Sequence, residues 1–542
     1  MTRLLNRFLA VSLLLAIGIN AKAAVEINSS APVAGTMTRN TGAEPPTINP
    51  ISANDTPADI ILSEAMDSLL GRHPETYDWK PRLSDKWEIS KDNKTFTFTL
   101  RKDIFFHSGD PVTAEDVKFS FEVYKIPEYK AAEKIPYYES ISNIEIVNPS
   151  TIKFTMKDNY FKNFEVVATT SIIPKKVYGD IAKGSKMNKS FVGAGPYMLD
   201  TYDKGQKIVL KRFAKWYGFN TPEWKGSANY EKYVFRFVKE ENVQIEMLKK
   251  GELDYLALNS ENYMKKTQGD PWGKTIEAKK VLNKVPKSYY FVGWNQKKPV
   301  FQDKNVRLAL AHLMNREEMN KKFLFGMADL ATGPTYIQSE YADPGVKPIL
   351  YDPKKATELL NKAGWKDSDK DGVLDKMIDG KKADFKFELI HPNKDMEKYW
   401  TWFKEDLQKV GIKMEIKYLE WSSFTKLLDE SNFEAVALGW GGVTDWDPKQ
   451  IWHSASAIPG ASNFVNYKNA EVDKMIDEAR IEKDRAVRIK KLRAVYAKVA
   501  DDAPYVFMFN QKYNFYGANV RFKKPGDTFQ YEIGYDYWWI QP

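Results

Sequence analysis

Apolar and polar side chains alternate along the segment Lys94–Phe106, where Phe96, Phe98 and Leu100 are separated by threonines. A period of two is typical of a strand with one buried face. Shortly afterwards, Thr113 stands three residues before an acidic side chain, which is the spacing of a capped helix N-terminus. The segment therefore predicts a strand, a turn and an amphipathic helix, in that order.

The pattern changes to a helical period in the second half of the chain. Val306, Leu310 and Met314 recur every four residues and predict one apolar stripe. Asp352, directly before a proline, predicts the start of another helix, and Gly364 predicts its end. Between residues 384 and 438, short β-rich runs flank a helical pattern, which is the βαβ order of an α/β protein.

The chain is long, and its parts are not separated by a linker. Its 542 residues are too many for one ordinary core, so two or three domains are expected. Two β-rich runs flank Asp203-Lys204-Gly205 and predict a hairpin. No repeat or low-complexity linker divides the large units. We therefore predict that the chain crosses between them on strands, through a hinge with more than one crossing.

The first residues have the composition of a secretory signal. Arg3 and Arg7 precede the apolar run Phe8–Ile19, and Ala21-Lys22-Ala23 follows. The run is shorter than the roughly 18–20 residues that a spanning helix needs. We predict a cleaved signal peptide over residues 1–23 and a loose leader over 24–34. An uncleaved anchor is the alternative.

Composition limits the cellular compartments and the classes of partner that are expected for this protein. The absence of cysteine excludes disulfides, thiol catalysis and a lipid-modified cysteine after the signal, so we expect an unanchored protein in a bacterial periplasm. The formal charge of +9 falls by three, to +6, when Arg3, Arg7 and Lys22 leave with the signal. The remaining lysines are scattered among acids and form no nucleic-acid motif, which argues against a nucleic-acid partner.

One loop has the spacing of half a calcium site. Asp367, Asp369 and Asp371 take alternate positions before a glycine, and Asp375 follows. Hard oxygen ligands around such a bend suit Ca²⁺. The twelfth position of the loop, which closes a calcium site with a bidentate acid, is Ile378. A structural calcium ion and a plain Asx-rich turn are both open, and no other cofactor is expected.

Signatures of catalysis are weak. None of the five histidines is paired at metal-binding spacing, and no serine-nucleophile elbow or phosphate loop occurs. Carboxylates are abundant, so a hydrolase with an acid pair in a cleft is an alternative, which shifted pKa values in such a pair would support. We expect a protein that is not an enzyme.

Aromatic side chains are concentrated where predicted strands end. Trp294, Trp421, Trp440 and Trp446 all lie in such corners, and aromatic residues make up 14% of the chain. Aromatic faces with a few oriented polar groups are typical of a small-molecule pocket. The corner "GWGGVTDWDP", which begins at Gly439, adds glycines and acids. The alternative for each tryptophan is core packing.

Several segments together resemble the family 5 extracellular solute-binding proteins, the dipeptide and oligopeptide receptors of ABC importers. They occur in the order found in that family and span nearly the whole mature chain. The segments are "PRLSDKWEISKDNKTFTFTLRKDIFFHSGDPVTAEDVKFSFE", "GAGPYMLDTYDKGQKIVLKRFAKWY", "NVRLALAHLMNREEM", "YDPKKATELLNKAGW" and "DDAPYVFMF".

The resemblance implies a fold. Family members are α/β proteins with two lobes that close over the ligand and an additional subdomain inserted in lobe one, the cluster C type of periplasmic binding protein. In this sequence, lobe one would cover residues 35–288, with the insertion at about 71–185. Lobe two would cover 289–505, and the chain would return to lobe one over 506–542.

The resemblance also implies a function and a ligand site. A monomeric receptor would capture a short peptide and deliver it to an inner-membrane ABC transporter permease. An acid in the corner after Gly439 would pair with the peptide α-amine. Because this corner is one residue longer than in dipeptide receptors, the anchor is Asp445, Asp447 or absent. The expected ligand-binding residues are Asp445, Trp440, Gly441, Gly442, Trp446, Asp447, Trp421 and Trp294.

Other ligands stay open within the same family. Nickel chelates, haem, oligosaccharides and opines are bound by relatives, and the first two favour a histidine at the cleft. Only His453 is close to the candidate corner in the sequence. A chaperone-like role, holding unfolded segments in a roomy pocket, is a further alternative.

Overall fold

The computed structural model describes residues 25–526 and 528–541 and folds them into two α/β lobes. The predicted signal peptide, residues 1–23, lies outside the described residues. Residues 25–34 form neither helix nor strand but contact the first lobe. The Ala34 amide donates to the Asn229 carbonyl at 3.0 Å, so the segment predicted to be loose is held at its end.

The first lobe begins with a mixed sheet and continues into an inserted antiparallel sheet. The sheet orders are β1-β10-β9-β8 and β4-β5-β7-β6. The strands up to the first crossing are β1 (Thr36–Asn40), β2 (Leu70–Arg72), β3 (Trp79–Pro81), β4 (Ser84–Ile89), β5 (Thr95–Leu100), β6 (Ile141–Asn148), β7 (Thr151–Met156), β8 (Tyr197–Asp203), β9 (Lys207–Arg212), β10 (Lys232–Arg236), β11 (Tyr255–Leu258) and β12 (Ile276–Val281).

Helices cover the sheets of this lobe. They are α1 (Thr56–Leu62), α2 (Ala114–Glu122), α3 (Ile135–Tyr138), α4 (Asn163–Thr169), α5 (Lys175–Tyr178), α6 (Ile181–Gly184), α7 (Glu241–Lys249) and α8 (Ser260–Lys266). In the inserted subdomain, Phe96, Phe98 and Leu100 of β5 are buried, which confirms the predicted alternation. The predicted N-cap of α2 is also confirmed, since Thr113 and Asp116 form a capping box.

The predicted hairpin is formed by β8 and β9. The two strands pair in antiparallel register from Tyr197 and Arg212 to Asp203 and Lys207. Gly205 lies in their turn with a φ of +73°, a conformation that side chains other than glycine rarely adopt. The local turn chemistry therefore sets this part of the sheet.

The second lobe is built on one mixed sheet of order β14-β20-β13-β19-β17-β18. Its strands, with the small hairpin β15–β16, are β13 (Tyr289–Trp294), β14 (Ala328–Leu330), β15 (Asp375–Ile378), β16 (Lys381–Asp384), β17 (Lys386–His391), β18 (Lys413–Tyr418), β19 (Ala435–Trp440) and β20 (Tyr505–Gln511). Its helices are α9 (Lys304–His312), α10 (Arg316–Leu324), α11 (Pro353–Lys362), α12 (Glu397–Gln408), α13 (Trp421–Asp429), α14 (Lys449–Trp452), α15 (Ala470–Arg480) and α16 (Arg485–Asp502).

Both faces of this sheet are buried. Phe291 and Val292 are neighbours on β13 yet belong to separate apolar clusters, because successive side chains of a strand point to opposite faces. Helices therefore pack on both sides, and the strand ends are the part of the sheet left for a ligand. Among the described helices, none is both long and apolar enough to cross a membrane.

The chain returns to the first lobe later than the sequence predicts. Tyr505–Gln511 pairs with β13 as a strand of the second lobe, so the boundary drawn at residue 505 falls inside a strand. Asn514–Asn519, here β21, then pairs between β11 and β12 of the first lobe. The short strands β22 (Phe522–Lys523) and β23 (Trp539–Ile540) pair near the end of the chain. The two lobes are thus connected at residues 282–288 and again at 512–513.

Candidate ligand-binding cleft

A cavity of about 590 Å³ lies between the two lobes. This volume is within the usual range for small-molecule sites. Residues 41–43, 239–245 and 256–262 line it from the first lobe. From the second lobe it is lined by residues 288, 290, 391–396, 400, 418, 421 and 437–441. A molecule in this cleft therefore contacts both lobes at once.

The second lobe presents the carboxyl ends of three strands to the cleft. Strands β17, β18 and β19 run parallel and end at His391, Tyr418 and Trp440, each of which lines the cavity. In open α/β sheets the carboxyl ends of the strands are where ligands bind. The topology thus places the cleft at the part of the sheet that helices do not cover.

One strand has a free backbone edge at the cleft. β19 pairs with β13 from Ala435 to Trp440, but its ladder with β17 includes only Ala435 and Val436. Beyond Val436 the ladder stops because β17 ends at His391, and the next residues of β19, as far as Gly441, line the cavity. Their N–H and C=O groups on that side form no ladder, so they are available to an extended ligand.

Three predicted site residues line the cavity: Trp440, Gly441 and Trp421. The indole of Trp440 stacks on Phe464 with 5.7 Å between ring centroids, which fixes it as a wall. Gly441 is exposed, and a Cβ built there meets no atom within 4 Å. The indole N–H of Trp421 donates to Asp55 of the first lobe at 2.9 Å, so this tryptophan also joins the lobes.

Two predicted site tryptophans are core residues instead. Trp294 is fully buried and stacks on Phe301, and Trp446 is buried with its ring edge against Tyr496. Neither lines the cleft, which corrects the prediction for both. Gly442 also lies outside the lining residues. An added Cβ there would be 2.5 Å from the Lys287 carbonyl oxygen, so its role is close packing of two backbones.

Of the two acids considered as an amine anchor, Asp447 is already neutralised. It is buried, and its Oδ2 accepts hydrogen bonds from Arg480 Nε at 3.0 Å and from the Tyr160 hydroxyl at 2.6 Å. Its Oδ1 accepts from the Lys449 amide. A carboxylate with these partners is structural, which corrects its prediction as a ligand residue.

Asp445 is less buried than Asp447, and its carboxylate has fewer hydrogen-bond partners. It is half-buried, its Oδ1 accepts from the Tyr341 hydroxyl at 2.8 Å, and no basic side chain of the described residues lies within 4 Å of its carboxylate. It does not belong to the lining of the 590 Å³ cavity. Its role as an anchor stays a prediction.

The cleft contains polar residues that the sequence did not single out, namely His391, Glu241 and Asp395. Sequence analysis found no pairing of His391 at metal-binding spacing and gave it no role. His391 ends a β-rich run, and the rule that ligands bind at strand ends of open sheets is the signal that could have found it. Glu241 begins a helix of the first lobe, and no local pattern connected it to residues 150 positions away.

The electrostatics of Glu241 are set by burial. Burial raises the pKa of its carboxyl, and the neighbouring Asp395 carboxylate raises it further. Hydrogen bonds from the side-chain amides of Asn262 and Asn259 favour the ionised form and oppose this shift, as does the charge of Lys398. Burial also lowers the pKa of His391, which keeps its imidazole neutral near pH 7.

The lobes are held together around the cleft by contacts that cross it. Arg480 of the second lobe donates to Glu139 at 2.8 Å and to the Pro136 carbonyl at 2.6 Å. The Tyr137 hydroxyl hydrogen bonds with Gln450, and Lys239 pairs with Glu420. The structure is therefore that of lobes in contact, with the cavity enclosed between them.

The aspartate-rich loop brings three of its four predicted ligands together. Oxygens of Asp367, Asp369 and Asp375 lie within 4.8 Å of one another. Asp371 is turned away and accepts from the Val373 amide. The ammonium of Lys382 pairs with Asp369 and approaches Asp375 at 3.6 Å, which already neutralises part of the charge that would hold Ca²⁺. Calcium binding here stays a prediction.

A comparison with protein families assigns the chain. The model of the bacterial extracellular solute-binding proteins, family 5 Middle, matches residues 78–461. The chain belongs to this family. Its relatives are therefore extracellular solute-binding receptors rather than enzymes. The predicted two-lobe α/β fold is confirmed.

Individual relatives of this solute-binding protein extend the match over most of its length. The oligopeptide-binding protein AppA of Bacillus subtilis is 29% identical over 481 residues, which cover 86% of this chain and 84% of AppA. The structure of that AppA with a nonapeptide matches with a TM-score of 0.84 at 25% identity, covering 94% of this chain and 100% of the other. DppA of Helicobacter pylori, in complex with the peptide STSA, matches in fold with a TM-score of 0.81 at 23% identity, covering 94% and 99%.

Proposed function

We propose that this protein is a peptide receptor that works with an ABC importer in the periplasm. The observation that supports this best is the free edge of β19 in an enclosed cleft, opposite residues 41–43 of the first lobe. An extended peptide adds to such an edge through its backbone, so affinity does not depend on particular side chains. The rest of the cavity then accommodates the side chains.

Similar proteins support the same ligand class. AppA is an oligopeptide-binding protein whose structure contains a nonapeptide. The amino-terminal segment with the composition of a secretory signal supports export, and the lack of cysteine supports an unanchored mature chain. We propose that the mature chain is a monomer and that its closed form is what the inner-membrane permease recognises.

Closure couples binding to transport. A ligand stabilises the closed form because it contacts both lobes only when they are together. The contacts of Arg480 with Glu139 and of Trp421 with Asp55 exist only in that state if the lobes separate as rigid bodies. The ligand thereby shifts the hinge equilibrium toward the closed form.

Native mass spectrometry of the purified mature protein tests the ligand class. We expect masses of bound peptides that disappear on denaturation, and saturable binding of synthetic peptides by calorimetry. A protein that retains no peptide, and binds none after unfolding and refolding, contradicts the proposal. Saturable binding of only denatured proteins would favour a holding role instead.

A metal chelate is the second candidate, and one observation favours it. His391 lines the cleft and its Nε2 has no hydrogen-bond partner in the described part of the chain. A neutral imidazole is a good metal ligand. Calorimetric titration with Ni(II)–histidine distinguishes the two, since tight saturable binding that is lost in His391→Ala, without peptide binding, would replace the peptide proposal.

A further inference from the structure

Two carboxylates in the cleft have no basic partner. Glu241 and Asp395 both line the cavity, and no Lys or Arg of the described residues lies within 4 Å of either carboxylate. They are next to each other, since Asp395 Oδ2 accepts from the Glu241 amide at 3.4 Å. Two like charges at one end of a partly buried cleft repel each other unless a cation lies between them or near them.

The neutral neighbours of Glu241 leave one of its oxygens free. Both amide groups that bind it, from Asn259 and Asn262, donate to Oε2. No hydrogen bond of the described residues involves Oε1, or Oδ1 of Asp395. These amides hold the Glu241 carboxylate in place without neutralising it, which is how a binding group is oriented before a ligand arrives.

The lysines close to this end are engaged elsewhere. Lys239 pairs with Glu420, and Lys398 pairs with Glu261. The ammonium of Lys394 lies 4.7 Å from the centre of the Tyr418 ring. The charge of Lys398 favours the ionised form of Glu241 from a distance, but none of these three ammonium groups forms an ion pair with Glu241 or Asp395.

Two buried polar atoms in the same cavity independently lack a partner. His391 is 1% exposed and Trp400 is 3% exposed, and both line the cleft. Within the described part of the chain, neither His391 Nε2 nor Trp400 Nε1 has a hydrogen-bond partner. Because His391 Nδ1 hydrogen bonds with the Asn393 carbonyl at 3.0 Å, it carries the proton, and Nε2 is an acceptor. Buried polar groups are usually hydrogen-bonded, so two unpartnered atoms on the wall of one cavity are available to a ligand.

We propose that Glu241, Asp395 and His391 form a subsite for a cationic side chain of the ligand, so that this receptor selects peptides containing lysine or arginine. This rests on the proposed function. The three residues supply only acceptors, and an ammonium or guanidinium group supplies only donors. The indole N–H of Trp400 donates to a carbonyl of the ligand. Charge-assisted hydrogen bonds of this kind are stronger than neutral ones.

The test is a selection from a random library of short peptides. The refolded, ligand-free protein is incubated with the library, and the retained peptides are sequenced by mass spectrometry. We expect lysine and arginine to be enriched at one position, and a peptide with lysine there to bind about tenfold more tightly than its norleucine counterpart. Both effects are lost in Glu241→Gln and in Asp395→Asn, and both persist in Glu358→Gln, an exposed carboxylate of α11.

Every other outcome of the selection contradicts a specific part of the proposal. Retention of peptides without basic enrichment overturns the subsite but leaves the proposed function standing, whereas retention of none overturns the proposed function. If an N-acetylated library loses the effect, the cation is the α-amine, and the side-chain assignment is wrong. Circular dichroism shows whether each variant is folded. If one variant is not folded, the other variant and the lysine–norleucine comparison in the wild-type protein decide the question.

Discussion

Asp445 and Asp447 are two residues apart in the chain but differ in burial and in the partners of their carboxylates. The side chain of Asp447 is 1% exposed and that of its partner Arg480 is 6% exposed. Removing one member of such a pair leaves a buried charge without a partner, which costs far more than the pair itself contributes. At the scale of single residues, the environment therefore decides which acid is structural.

We expect Asp447→Ala to lower the free energy of unfolding by about 3 kcal/mol, because Arg480 Nε and the Tyr160 hydroxyl lose their buried acceptor and Arg480 keeps only the partly exposed Glu139 as a charge partner. Asp445→Ala is the matched control for stability. It removes one hydrogen bond from Tyr341 and should change the free energy by about 1 kcal/mol, while weakening peptide binding if it anchors the amine. Urea unfolding and calorimetry measure the two effects. Equal losses of stability would contradict the assignment.

Glu133, which does not line the cleft, makes a contribution to stability that depends on pH. It is 5% exposed, and neither carboxylate oxygen has a hydrogen-bond partner among the residues that the structure describes. Burial raises the pKa of its carboxyl to about 7, partly opposed by Lys134. The folded state therefore prefers the protonated form more than the unfolded state does, and this stabilisation is lost as pH rises from about 4.5 through about 7.

We expect Glu133→Gln to raise the free energy of unfolding by about 2 kcal/mol at pH 8 and by much less at pH 4.5. The amide imitates the protonated acid at both values, so the difference in stability between the two proteins reports the ionisation of Glu133 alone. Urea unfolding at the two pH values measures the difference. A gain of the same size at both would show that ionisation of Glu133 is not its cause.

At the scale of elements, the free edge in the cleft arises because two neighbouring strands end at different levels. β17 ends at His391, whereas β19 continues beyond Val436 to Trp440, and Gly441 follows in an open environment. The edge is short and enclosed between the lobes, which protects it from pairing with another chain. A ligand reaches it when the lobes open.

We expect Gly441→Trp to weaken peptide binding at least about tenfold with little change in melting temperature. An added side chain meets no protein atom within 4 Å of its Cβ, so it occupies the cavity rather than straining the fold. Gly441→Ala is the control and should bind nearly as the wild type does. Calorimetry and thermal unfolding measure the two quantities, and unchanged affinity in the tryptophan variant would place the ligand elsewhere.

At the scale of the whole molecule, two connections between the lobes permit a hinge. The chain passes between them at residues 282–288 and 512–513, next to paired strands that hold each lobe rigid. Contacts across the cleft, including those of Arg480 and Trp421, close around the cavity. Opening breaks these contacts, whereas the cores of both lobes stay intact.

We expect a bound peptide to decrease the radius of gyration measured by X-ray scattering and to stabilise the protein by about 2.7 kcal/mol at a free concentration of one hundred times Kd. Trp421→Phe loses the hydrogen bond to Asp55, so its ligand-free form should be more open while its bound form matches the wild type. Scattering curves that do not change with peptide, in a protein shown by calorimetry to bind it, would exclude hinge closure.

The sequence by itself determined the local elements of this protein. The alternation through Phe98, the cap at Thr113 and the turn at Gly205 all formed as predicted, because each signal is carried by neighbouring residues and satisfied by backbone geometry. The order of the motifs was also sufficient to predict the family and the two-lobe fold.

Only the tertiary structure decided which side chains share the cleft. Trp294 and Trp440 have similar sequence surroundings, but β13 buries the first while the end of β19 exposes the second to the cavity. Glu241 and Asp395 meet from different lobes, and Asp447 finds its partner in Arg480. Burial and long-range pairing depend on how distant strands and helices are placed, and local patterns contain no information about that placement.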